Sequence, residues 1–540
     1  MKLPVIGSFN TADSINVDSQ RTVNWYLEKT PAGRNKAALY PTPGSTLFTT
    51  AGTGHIRGTI EFGGYLYVVS GQDFYQIDTS GNAINKGSLA TSGSSVSMAA
   101  SATELFIVDG TNGYIFTSAG DLIRVDNVDT GSTTGTIANG LLDSGATFIT
   151  LGVTVGTRVY NDTDSTTAIV TDVVSETTLT LDSNVFTTGE SYTIGDVNFP
   201  NGADQVVFAE GYFIVNDPNK DQGLNIDGSF FWSDLRDGTS WTGTSFATAE
   251  RDEDKLIAIE KNAREIWLFG ETSTEIWYNS GGDPVFTPVS SGYSEWGCSA
   301  RDSVSRVDQS LMWLSKNKNG QGLVVQATGF VPKVVSSPAL NSAIASYDTI
   351  SDASAFTMQW KGHTWYVLTF PSEKVTWVYD LSEQVWFEWN SWQLGRSRYA
   401  THTLFNNSHY MGDYLTGSIY KLDNTTKREN GNIVERVRKT SHFYSDKASL
   451  FHNLMELEFE YGVGGANDAQ VMLRWSDDYG HTWSQEYWKP LGKTGEYKKR
   501  LRWKRLGSSR DRVYEIRITD ECLPTLIAGY IQAKESSRET

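Results

Sequence analysis

The sequence predicts an all-β chain: a β-propeller of about seven blades, six or eight also fitting, with a small inserted β domain and a C-terminal β-sandwich. Three observations lead there. First, a short unit returns along most of the chain: a polar or glycine turn, four or five apolar residues, a second turn, then an aromatic-rich strand. It stands at Gly63-Gly64-Tyr65-Leu66-Tyr67-Val68-Val69, Glu104-Leu105-Phe106-Ile107-Val108 and Glu210-Gly211-Tyr212-Phe213-Ile214-Val215. It returns at Arg264-Glu265-Ile266-Trp267-Leu268-Phe269, Gln309-Ser310-Leu311-Met312-Trp313-Leu314, Lys361-Gly362-His363-Thr364-Trp365-Tyr366 and Asn407-Ser408-His409-Tyr410-Met411. Successive starts lie about 40–50 residues apart, the blade spacing of a propeller. Second, 50 Gly, a 12% aromatic share and 17 Trp favour packed β structure over disorder. Third, the repeat is interrupted near 110–205 and stops near Thr425. One blade cannot bury both its faces, so the units must close into a disc.

Residues 1–50 are not blade-like and read as strands and loops leading into the first blade, with Pro43-Gly44 as a turn signal. The propeller then takes 51–125 and 197–425. Between them, 126–196 holds ten Asp/Glu and one Arg (Arg158), a local charge of −9, and no Trp. Alternation at Thr154–Tyr160 and Thr177–Leu181 reads as half-exposed strands. We read an acidic β domain inserted into a blade loop, where insertion is tolerated; the alternative is a long acidic surface loop.

Residues 440–540 form a last module, with strands at Val471-Met472-Leu473-Arg474-Trp475 and Val513-Tyr514-Glu515-Ile516-Arg517-Ile518. About 100 residues suit a β-sandwich. From Lys489 to Arg517 there are eleven Lys/Arg against three acids, in a chain of net charge −18. Lys489, Lys493, Lys498, Lys499, Arg500, Arg502, Lys504 and Arg505 are candidates for binding an acidic partner, such as the insert of a neighbouring copy. A solvated strand face is the plainer reading, and DNA contact ranks behind both.

Ser476, Asp478, Gly480, Thr482 and Trp483 complete an Asp-box, whose work is structural: Asp caps a tight turn, Gly supplies positive φ and Trp packs beneath. Such boxes occur in sialidases, but no spacing selects a catalytic arginine cluster, and no catalytic residues are assigned. Gly492-Lys493-Thr494 lacks the earlier P-loop glycine, since Tyr487 stands there. Asp217, Asn219 and Asp221 resemble the start of a calcium loop, yet Gln222 and Gly228 occupy its glycine and glutamate positions. A polar blade loop is the favoured reading there, with calcium as the alternative; no cofactor and no metal ligands are assigned. Cys298 and Cys522 read as free buried thiols. No membrane-length apolar run and no secretory signal appear, which predicts synthesis in a cytoplasm.

The block Arg21-Thr22-Val23-Asn24-Trp25-Tyr26 with Glu28, then Leu39-Tyr40-Pro41-Thr42-Pro43-Gly44, resembles the start of the tail-hub, or nozzle, proteins of short-tailed phages, also called packaged-DNA stabilisation proteins. Trp232-Ser233 with Asp237-Gly238 and Trp241, Thr274-Glu275-Ile276-Trp277, Thr376-Trp377-Val378-Tyr379-Asp380 and Leu501-Arg502-Trp503 with Arg505 and Gly507 agree in order. The likeness spans nearly the whole chain except 126–196. It implies a structural virion protein, not an enzyme, made in the host cytoplasm. Six copies would form a tube below the portal and its adaptor ring, hold a needle or plug, and abut tailspikes or fibres. Genomic DNA would leave through the tube without specific binding. The competing reading is a glycan-binding or glycan-cleaving virion propeller.

Overall fold

The computed structural model describes residues 2–535 apart from 31, 118–119, 121, 127–128, 197, 201, 218–227, 250, 253, 446–447, 461–467 and 497–498. Seven sheets of propeller type follow one another among them. The first four blades are formed by Ile56–Phe62 to Ala83–Ser88, Ser97–Ala100 to Leu122–Arg124, Val206–Ala209 to Asp237–Thr248 and Leu256–Asn262 to Phe286–Ser294. Blades five and six run from Ser305–Val307 to Val331–Val334 and from Ser354–Trp360 to Val385–Glu388. The last takes Tyr399–Phe405, Ser408–Asp413 and Ser418–Asp423 and is completed by Gly44–Thr50 from the other end of the chain.

Each repeat seen in the sequence is the tight turn after a blade's inner strand plus the strand that follows. The turns need left-handed backbone, which Gly63 and Gly64, Lys361 and Gly362, and Asn406 and Asn407 provide at positive φ. The following strands are buried on both faces because they pack between neighbouring blades. Trp267 and Phe269 meet Trp313 between blades four and five, and Leu66 and Val68 meet Tyr410 between blades one and seven. That last cluster closes the ring.

Residues 1–50 are no separate segment. Trp25–Lys29 and Ala37–Pro41 join one sheet of the C-terminal sandwich, beside Leu526–Glu535, Leu450–Phe459 and Leu501–Lys504. Ser19–Val23 joins the other sheet, between Arg436–Lys439 and the outer strand of blade six, so blade six and this sandwich sheet are continuous. The sandwich begins at Arg436 rather than at 440. Pro43-Gly44 marks the passage from sandwich to propeller. A Cβ on Gly44 would press on the backbone of Thr426 and come within 2.6 Å of the Arg428 carbonyl. Gly44→Ala is therefore expected to destabilise ring closure by about 1–3 kcal/mol, read as a lower urea midpoint.

Residues 129–194 build their own six-stranded sheet around Leu141, Phe148, Val159, Leu179 and Tyr192. The domain leaves and rejoins the propeller at one point, where Asp126 and Asp196 are bridged. Asp126 holds Arg124 at 2.7 Å, and Asp196 accepts from the Trp241 N–H at 2.7 Å. The insert thus sits on the rim between blades two and three, while the sandwich is fused to the rim at blade six. In a ring of seven these positions face each other across the disc.

Candidate functional site

An axial cavity of about 280 Å³ is lined by the inner strands of blades one, two, four, six and seven, and by Gln205, Arg301 and Asp302 just ahead of those of blades three and five. Polar side chains share the lining with Val96, Met98 and Phe356, and the charged ones pair with each other across the axis. Ser95, ahead of blade two, meets Asp302, ahead of the inner strand of blade five: its hydroxyl donates to Asp302 Oδ2 at 2.6 Å. Arg301 donates back to Ser95 Oγ at 2.6 Å and pairs with Asp204 at 2.7 Å and Asp302 at 2.8 Å. Blades two and five lie on opposite sides, so these bonds bolt the axis across its width. Arg57, buried, donates to the carbonyls of Gly71 at 2.9 Å and Thr91 at 2.6 Å. Burial pushes the Glu260 carboxyl up to about 7. A duplex whose major groove alone is about 12 Å wide cannot thread such an opening. Sequence reasoning missed this bolt, because its members come from separate blades and share no motif.

The basic stretch does not form one free patch. Two sheet edges carry it: Tyr487–Pro490 ends one sandwich sheet and Leu501–Lys504 ends the other. Lys and Arg there also shield open strand edges from pairing with other chains. Lys499 pairs with Asp468 at 3.1 Å, and Arg500 and Arg502 share Glu456 at 3.9 and 2.6 Å. Lys489, Lys493, Lys504 and Arg505 are exposed, and among the described residues no side-chain hydrogen bond or ion pair occupies them; the same holds for Arg510. Lys498 lies outside the described residues. Charge reversal at Lys499, Arg500 and Arg502 would break in-chain pairs, so it does not isolate a docking role.

The Asp-box forms the hairpin its residues dictate. Asp478 accepts from the Thr482 N–H at 2.8 Å and its hydroxyl at 2.6 Å, and Ser476 accepts from the Gly480 N–H at 2.7 Å. Gly480 takes φ +103°. These bonds, first the Ser476 and Thr482 hydroxyls, hold the Asp478 carboxyl far below the usual range. The Arg474 guanidinium lies 4.8 Å from the Trp483 ring centre. The arrangement offers no nucleophile or acid to a substrate.

Asn219 and Asp221 of the calcium-like stretch lie outside the described residues. Among those described, no three His, Cys, Asp or Glu side chains are gathered as a metal set. Cys298 and Cys522 are buried free thiols, pushed up to about 12 and about 11 by burial, and so are poor nucleophiles. No described helix is long and apolar enough to cross a membrane.

Among solved structures, the chain is similar to PorZ, a surface component of the type-IX secretion system of Porphyromonas gingivalis, at 10% identity and TM-score 0.34. That overlay covers 82% of this chain but only 46% of PorZ. The N-terminal domain of Nup159 matches at 7% identity and TM-score 0.36 over 75% of this chain and 99% of that one. An exo-β-1,3-galactanase from Phanerochaete chrysosporium matches at 7% identity and TM-score 0.29 over 84% and 98%. None of these overlays is close enough to bear on function. No curated protein matches the sequence. Two family models do. The one described as bacteriophage P22 Gp10, beta-propeller, matches residues 1–191 and 148–427, its two stretches overlapping within the insert. The one described as bacteriophage P22 Gp10, beta-sandwich, matches 435–534. Propeller and sandwich, joined by one continuous sheet and matched over nearly their whole length, make this chain a member of the bacteriophage P22 Gp10 family, a structural protein of the phage virion tail.

Proposed function

We propose that the chain is the hub, or nozzle, of a short-tailed phage tail, which retains packaged DNA below the portal and releases it at infection. The observation that carries this reading beyond family membership is the bolted propeller axis. A hub must contain a conduit. Since the propeller axis, among the described residues, has no opening for a duplex, the conduit in this reading is the lumen of a ring of copies, a hexamer in the simplest case. Net charge −18 suits such a wall, because phosphates are repelled and the strand slides without binding. The sheet that runs unbroken from blade six into the sandwich suits a part that bears the pressure of a packed genome. In this reading the ring meets an adaptor ring above, a needle or plug below, and tailspikes or fibres beside it. It performs no catalysis.

A nonsense mutation in this gene in its source phage tests the proposal. Heads that package DNA and then lose it, with truncated tails in electron micrographs, are expected. Full, stable particles that merely fail to adsorb to the host would overturn the retention role and favour a glycan-directed propeller.

A further inference from the structure

We infer that copies of the chain join head to tail, the basic end of one sandwich seating on the acidic inserted domain of the next; this rests on the ring proposed above. Two unneutralised surfaces of opposite charge argue for it. On the sandwich, Lys504, Arg505 and Arg510 have no side-chain partner among the described residues, while most of the cations around them are paired. They adjoin large exposed rings: Phe451 is 48% exposed and stands opposite Ser508, and Tyr444 is 64% exposed and stands opposite Asp511. On the insert, none of the eight carboxylates from Asp129 to Glu190 faces a cation among the described residues.

Several of those carboxylates cap the domain's own turns, as Glu176 does for the Thr150 N–H at 3.1 Å. Asp162, Asp164, Asp172 and Asp182 remain exposed. Exposed aliphatics accompany them: Val174, two residues beyond Asp172, is 57% exposed, and Ile149 sits beside Glu176. Cations with aromatic rings on one side, and carboxylates with aliphatic side chains on the other, are complementary in both charge and apolarity.

The placement of the two surfaces decides how they are used. The sandwich is fused to blade six and the insert stands between blades two and three, the gap farthest from blade six in a seven-membered ring. One chain therefore cannot neutralise itself. A contact between two different surfaces, repeated from copy to copy, closes into a ring when its rotation permits. The insert then serves as the socket.

The test supplies variant chains to a phage lacking the gene and counts copies per particle on gels against the major capsid protein. One variant carries Lys504→Glu, Arg505→Glu and Arg510→Glu. A second carries Asp162→Lys, Asp164→Lys and Asp172→Lys. A third carries both sets. Each single set is expected to reduce incorporation at least tenfold, and the third variant to recover to within twofold of wild type. Wild-type incorporation of either single set would overturn the inference while leaving the ring intact. Failure of the third variant, with a wild-type circular dichroism spectrum and melting point, would also overturn it, because the basic end would then meet another partner. Should the glutamates disturb folding, glutamine at the same three positions gives the same reading. Absence of wild-type protein from the tail would defeat the hub proposal itself, and this inference with it.

Discussion

Replacing Arg438 by methionine is expected to lower the unfolding free energy by about 3–5 kcal/mol. Its guanidinium is fully buried and clasps the start of the chain: it donates to the carbonyls of Val5 at 2.8 Å and Ser8 at 3.1 Å, to Thr22 Oγ1 at 2.9 Å and to Gln20 Oε1 at 2.6 Å. Among the described residues no carboxylate pairs with it, and burial pushes its pKa down to about 9, so it remains charged at neutral pH. Methionine fills the space yet leaves those acceptors buried without donors. Lysine is not expected to rescue, since one ammonium cannot reach acceptors spread across a planar fork. Urea unfolding checks this; a loss below about 1 kcal/mol would mean that water or neighbouring donors satisfy the acceptors. The same clasp holds Ser19–Val23 in place, and that strand joins propeller to sandwich. The two units should therefore loosen together in hydrogen exchange.

Glu260→Gln is expected to act in the opposite sense, and only at higher pH. Burial raises the Glu260 carboxyl from 4.5 to about 7, so the folded chain keeps a proton that the unfolded chain gives up. Its contribution to stability is fully present below about pH 4.5 and is lost as pH rises through 7. The span between those values corresponds to at most about 3 kcal/mol. Glutamine cannot ionise, so the variant should match wild type near pH 4.5 and exceed it by up to about 3 kcal/mol at pH 8. A difference that does not change with pH would show that Glu260 ionises normally at the axis.

Much of the propeller was legible because its signal is local. A blade's tight turn demands glycine or asparagine at positive φ, and the strand after it is apolar on both faces; both constraints fall within eight or nine consecutive residues. The acidic insert was legible for a related reason, since it breaks that rhythm and carries its own alternation. The role of the first fifty residues was not. Gly44–Thr50 pairs with Ser418–Asp423, and Arg21 lies opposite Lys439, and no window of sequence announces partners about 400 residues away. The axial bolt was hidden for the same reason: Ser95, Asp204 and Arg301 meet only once the ring closes. The basic run misled in the other direction. In sequence it is one cluster, but strand alternation divides it between two sheets, and Glu456, Asp468 and Asp477 arrive from elsewhere to neutralise much of it.

In the function proposed above, each copy is closed at its propeller axis and the ring of copies is the conduit. Electron cryomicroscopy of the tail of intact particles tests it most directly. A ring of this chain around the tail axis is expected, with the Ser95–Asp302 and Arg301–Asp204 contacts intact in every copy. DNA or plug density should lie in the lumen between copies. Nucleic-acid density threading a propeller axis, or a tail without this chain, would contradict it.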